Sequence, residues 1–147
     1  MLRALHLLAR DGRVLLAHHT GASCASTWEA QDALESALAA AVRPYLAAVG
    51  DADIALAVTG APAVVMRAVS GVVFVASGAD ELALAEALAF LVRLVAATCD
   101  DALSPSQAVA SHGKIVVCLD EAFRGGRQVH SDVAAVLRAA KLKAIAT

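Results

Sequence analysis

The chain predicts an α+β fold: a five-stranded antiparallel sheet sandwiched by helices, in the order β-β-α-β-β-β-α-α. Three observations lead there. The run Val72-Val73-Phe74-Val75-Ala76 is apolar throughout and passes through Ser77-Gly78 into a helical segment that reaches Asp101. On a wheel of about 100° per residue, Leu84, Leu88, Leu91, Val92, Leu94, Val95 and Cys99 fill an arc of roughly 160°, the core face of a helix seated on a sheet. Two apolar runs at the start of the chain and three short β-branched runs in its middle supply the strands.

Taken in order, Leu2 to Leu8 and Val14 to His18 read as strands joined through Asp11-Gly12, whose glycine supplies the positive φ of a tight hairpin. After the small-residue loop Gly21-Ala22-Ser23-Cys24-Ala25, Ser26-Thr27-Trp28-Glu29 matches the S-x-x-E capping box and starts a helix. Ala30, Leu34, Ala37, Leu38, Ala41, Val42 and Tyr45 share its apolar side, Pro44 bends or ends it, and Gly50-Asp51 closes the segment. Ile54 to Thr59, a Gly60-Ala61-Pro62 turn, Ala63 to Ala68, a Ser70-Gly71 break and the strand at Val72 form an antiparallel meander. The meander's near-continuous apolarity reflects either burial on both faces or alanine richness. Asp80-Glu81 opens the long helix at its positive end. Leu82 and Phe90 fall outside the core arc and flank the polar strip Glu86 and Arg93, so this helix presents large apolar groups to its outer side. Ala102 to Gly113 reads as a loop, and Lys114 to Phe123 is strand or helix by period alone. Gly125-Gly126 reads as a helix C-cap, and Ser131 or Asp132 caps a final helix from Val133 to Ile145.

At 147 residues the chain fits one domain, spanning 1–147. Hydrophobic residues make up 59% of it, above the usual level of about 45–50%. With charged residues at 18%, this composition points to a permanent partner covering apolar surface. A net charge of −2 without a basic cluster argues against nucleic acid. The start Met1 to Arg10 has too short an apolar core for a signal peptide, and the apolar runs fall short of the ~20 residues that span a bilayer. An intracellular chain with unpaired thiols at Cys24, Cys99 and Cys118 is the expectation.

No constellation of residues carries a reaction, so no catalytic, cofactor-binding or metal-binding residue is assigned. His18-His19 point to opposite faces of a strand, one packed and one at the surface. His6, His112 and His130 have no companions at ligand spacing. Asp120-Glu121 diverge by about 100° on a helix and read as solvated charges or a partner salt bridge. Cys99 and Cys118 read as buried thiols.

Val117-Cys118-Leu119-Asp120-Glu121, then Gly125-Gly126, then Ser131-Asp132 resembles the Leu-Asp-Glu, Gly-Gly, Glu-Thr/Ser signature of the small subunits of vesicle-coat complexes. These are the sigma subunits of clathrin adaptors and the zeta subunit of coatomer, and zeta is the nearer match. Leu5-His6-Leu7-Leu8 with Asp11-Gly12-Arg13-Val14-Leu15-Leu16 is similar to the family's opening hairpin. Phe74-Val75-Ala76-Ser77 with Asp80-Glu81-Leu82 is similar to its strand–helix junction. The chain departs from the pattern at His130, where the family prefers a carboxylate, and in having few aromatic residues. The resemblance implies a longin, or SNARE-like, domain in which Lys114 to Phe123 is helical. It further implies a non-catalytic subunit without cofactors, packed on a large adaptin-like subunit beside other coat subunits. It also implies a cytoplasmic complex that an Arf-type GTPase recruits peripherally to Golgi or endosomal membranes and coated vesicles. Leu82, Glu86, Phe90 and Arg93 are the candidate partner contacts, and Leu119, Asp120, Glu121, Gly125 and Gly126 the family motif. The alternative is a longin-type module of a tethering complex or of a small-GTPase regulator.

Overall fold

A computed structural model of the chain describes residues 2–19, 28–46, 54–58, 61–124 and 127–146. Strands β1 (Leu2–Ala9) and β2 (Val14–His19) are followed by helix α1 (Trp28–Val42) and a 3-10 turn at Arg43–Tyr45. Then come β3 (Ile54–Val58), β4 (Ala61–Val69), β5 (Val72–Gly78) and α2 (Glu81–Thr98). Helices α3 (Pro105–Ala110) and α4 (His112–Ala122), a short hairpin of β6 (Phe123–Arg124) and β7 (Arg127–Gln128), and α5 (Val133–Ala146) complete the chain. The main sheet has the order β2-β1-β5-β4-β3, and its strand pairs are all antiparallel. The predicted α+β architecture is therefore the observed one.

The period of two along each strand divides the apolar residues between two cores. Leu5, Leu7, Leu16, Val72, Phe74 and Ala76 meet Leu84, Leu88, Leu91 and Leu94 of α2, Leu119 of α4 and Val136 of α5. Leu8, Val64, Met66, Ala68, Val73 and Val75 meet Leu38 and Val42 of α1 and Leu46 behind it. The sheet is covered on both sides, so burial on both faces accounts for the apolar strands.

The turns follow from local chemistry. Gly12 has φ +95°, and Arg13 donates from its backbone N–H to Asp11 Oδ1 at 3.0 Å and from Nε to Asp11 Oδ2 at 2.9 Å. Ser70 at φ +53° and Gly71 at φ +81° link Val69 to its partner Val72. Two left-handed residues in a row are the demand of a type I′ hairpin, whose twist matches that of its strands. Pro44 lies in the 3-10 turn and stops α1 at Val42, as its missing N–H requires. Tyr45, expected on the apolar side, is exposed; the tighter turn rotates it away from the core. The expected capping box at Ser26 and the Gly50-Asp51 closure lie outside the described residues.

Three boundaries differ from the sequence reading. Ala61 and Pro62, read as turn, begin β4, with Ala61 opposite Val58. The segment read as a loop contains α3, because Ser104 Oγ accepts the Gln107 N–H at 3.1 Å and Pro105 occupies the first turn, a strong helix start even in a short element. Helix α4 ends at Ala122, where Phe123 turns extended at φ −127°. Gly125-Gly126, which lie outside the described residues, therefore follow β6 in sequence instead of capping the helix.

Helix α2 ends in a Schellman motif: Asp101 N–H donates to the Ala96 carbonyl at 2.8 Å and Asp100 N–H to that of Ala97 at 3.1 Å. Asp100 stands at φ +54°, where glycine is favoured, and adds a negative charge to the negative end of the helix. The replacement Asp100→Gly should therefore stabilise the fold by about 0.5–1 kcal/mol. Urea denaturation of the two proteins measures the difference; equal or lower stability in the variant contradicts this reading.

Candidate functional site

Helix α2 carries the predicted partner contacts. Asp80 Oδ1 accepts the Leu82 N–H at 3.0 Å and fixes the start of the helix. Leu82, one residue into α2, is 70% exposed, and Glu86 and Arg93 are exposed as well. Phe90 does not belong with them: it is 2% exposed. Its ring meets Phe123 edge-on with centroids 6.3 Å apart, and the Arg93 guanidinium carbon lies 6.0 Å from its centroid. Helical period places Phe90 beside the polar strip correctly, but the turn from α4 into β6 brings Phe123 over it. The outward apolar surface of α2 thus contracts to Leu82 in its first turn.

Two open hollows flank that half. One, of about 410 Å³, is lined by Leu2, Ala83, Leu84, Glu86, Ala87, Phe123, Arg127 and Gln128. The other, of about 360 Å³, is bounded by Ala55 and Val65 of the sheet and by Asp80, Glu81, Leu82 and Ala85. Leu82 and Glu86 stand on a ridge with a trough on each side. Sequence pattern indicates the ridge, but the hollows depend on the distant β6–β7 hairpin and on the sheet.

The motif residues of α4 serve packing. Leu119 and Cys118 lie in the larger core, and Asp120 Oδ1 reaches His18 Nε2 on β2 at 3.2 Å. Glu121, read as solvated, is only 7% exposed; the rotation of about 100° between neighbouring helical residues carries it inward from Asp120. Thr98 Oγ1 donates to the Leu94 carbonyl at 2.8 Å and sits 3.8 Å from Cys118 Sγ. Burial raises the pKa values of both Cys99 and Cys118, as expected of structural thiols.

The histidines are arranged differently from the sequence reading. His18 and His19 do point to opposite faces, but neither is a free surface group, since a helix covers each face. His18 meets Asp120 on the α4 side. His19 Nε2 lies 3.1 Å from Glu35 Oε1 of α1 on the other. His6 on β1, expected to lack a companion, comes within 3.7 Å of the same Glu35 oxygen. Strand register brings His6 beside His19, a relation that no spacing along the chain reveals. His6, His19 and Glu35 are the group of side chains among the described residues whose donor atoms could converge on one metal ion.

No protein-family model matches the chain, and no curated protein matches it in sequence. In structure it is similar to a chain in a homology model of the full-length AP-3 complex in a stretched open conformation, with a TM-score of 0.63 and 11% identity. That alignment covers 99% of this chain and 95% of the other. The likeness establishes the longin-like fold.

The surface assignment makes a contrast that can be measured. Phe90→Ala should cost about 3–5 kcal/mol of stability as a buried aromatic, whereas Leu82→Ala should stay within about 0.5 kcal/mol. Chemical denaturation of both variants decides the matter; comparable losses would remove the distinction between core and ridge.

Proposed function

We propose that the chain is a non-catalytic small subunit of a heterotetrameric adaptor- or coatomer-type coat complex, acting in vesicle-mediated protein transport. The observation that carries this reading is the fold likeness to an AP-3 chain over nearly the whole of both chains. The Leu119-Asp120-Glu121 motif supports it independently and favours the zeta-type subunit of coatomer. In this reading a large adaptin-like subunit lays helices along the Leu82–Glu86 ridge and fills the two hollows beside it. An obligate interface of this kind buries more than about 2,000 Å² and resembles a divided core. Other coat subunits complete the complex, which an Arf-type GTPase brings to Golgi or endosomal membranes. Among the described residues no helix is long and apolar enough to cross a bilayer.

Affinity purification of the tagged chain, with mass spectrometry of what remains bound in stoichiometric amount, tests the proposal. A large helical-repeat subunit should co-purify. Leu82→Arg should reduce its recovery at least tenfold, a loss of about 1.4 kcal/mol or more in binding, while circular dichroism of the variant stays unchanged. Recovery of the chain as a stable monomer overturns the proposal. Nucleotide-dependent capture of a small GTPase by the isolated chain overturns it in favour of a tethering or GTPase-regulating module.

A further inference from the structure

The imidazoles on the α1 side of the first hairpin take no part in the ridge. In the β1–β2 register Ala4 lies opposite His19 and His6 opposite Ala17. His6 and His19 are therefore diagonal neighbours on one face, close enough for long side chains to touch. Their ring centroids are 5.6 Å apart and their planes stand at 88°. Glu35 comes down from α1 between them, with Oε1 at 3.1 Å from His19 Nε2 and 3.7 Å from His6 Nε2. One donor atom from each residue lies within 4.8 Å of the other two. Around a tetrahedral ion with bonds of about 2.0–2.1 Å, ligand atoms stand roughly 3.4 Å apart. The two Glu35 distances bracket that value.

His6 is the residue that calls for an explanation. It is 4% exposed, yet neither of its ring nitrogens has a hydrogen-bond partner, and Nδ1 of His19 is equally unmatched. Buried polar atoms are rarely left so, and each exception asks for a cause. A proton shared with Glu35 is the simplest alternative, but a charged imidazole at this depth would keep its Nδ1–H unsatisfied. Burial in fact pushes the His6 pKa down, against the pull of Glu35. Neutral imidazole is the form in which histidine ligates metals.

We propose that His6, His19 and Glu35 bind one divalent transition-metal ion of the zinc class, clipping α1 to the edge hairpin of the sheet. Two imidazole nitrogens and one carboxylate oxygen suit zinc, cobalt or nickel. They supply too few oxygens for calcium or magnesium. Glu35, with its side chain 38% exposed, leaves a path for the ion to enter and a fourth position for water. The site lies across the sheet from α2, so it is independent of the partner ridge.

The test uses the full chain with Zn²⁺ in competition with a chelating dye, and Co²⁺ as a spectroscopic probe. One Zn²⁺ per chain should bind, and Co²⁺ should give the visible absorption of a four-coordinate site. His19→Asn and Glu35→Gln, whose side chains are partly exposed and whose folding circular dichroism confirms, should each weaken binding at least about tenfold, the loss that even outer-shell changes produce. His18→Asn, on the opposite face, should leave binding unchanged. The site is refuted if the unaltered chain fails to take up one equivalent, if both variants bind as it does, or if His18→Asn abolishes binding as well.

Discussion

The structure depends on one constraint: its central strands have no face that can be given to water. Every residue of β5 is buried, and so is every residue of β1 except Arg3. A strand in that position must be apolar on both sides and must be roofed on both sides. Leu84, Leu88, Leu91 and Leu94 of α2 form one roof, with α4 and α5 beside it. Leu38 and Val42 of α1 form the other. Much of the chain's high apolar content is absorbed by these two cores within one small domain. Composition is therefore weaker testimony to a partner than it looks in the sequence. What bears on a partner is the residue left over, and Leu82, 70% exposed, lines one of the two hollows beside α2.

The fold was legible in the sequence where local chemistry determines conformation. The Asp11-Gly12 and Ser70-Gly71 turns require positive φ, and Gly12, Ser70 and Gly71 adopt it. The face of α2 that holds Leu84, Leu88, Leu91 and Leu94 is set by a period of 3.6 and is buried as that period implies. Helix α4 was not legible by period, because Ile115-Val116-Val117 has the β-branched character of a strand; the likeness of Leu119-Asp120-Glu121 to a family motif resolved it. Helix α3 was missed because six residues give no periodicity, although Ser104-Pro105 carried its start signal.

The sites were less legible, for a reason that Phe90 and His6 illustrate together. Angular position on a helix or a strand follows from the sequence, and both residues occupy the positions it assigns them. Whether a given direction leads to solvent or to another part of the chain depends on long-range pairing. Phe123 reaches Phe90 from 33 positions away, and Glu35 reaches His6 from 29. No window of local sequence contains either relation.

The edge of the sheet unites these threads. Strand β2 is an outer strand, and edge strands invite unwanted pairing unless something polar or bulky guards them. Here consecutive residues do the guarding in opposite directions. His18 turns to Asp120 of α4, and His19 turns to Glu35 of α1. The same alternation that splits the apolar residues between two cores thus gives the edge strand one imidazole–carboxylate contact on each face. Each contact joins the hairpin to a different helical layer. A partly exposed pair of this kind is worth little by itself, but the two lie on opposite faces and on different helices, so each ties the edge strand to a different roof. The layer held by Asp120 also carries the motif residue Leu119 and, through Phe123, closes over Phe90. The shape of the ridge on α2 and the placement of the histidines are accordingly consequences of one packing solution, read from two sides of the same sheet.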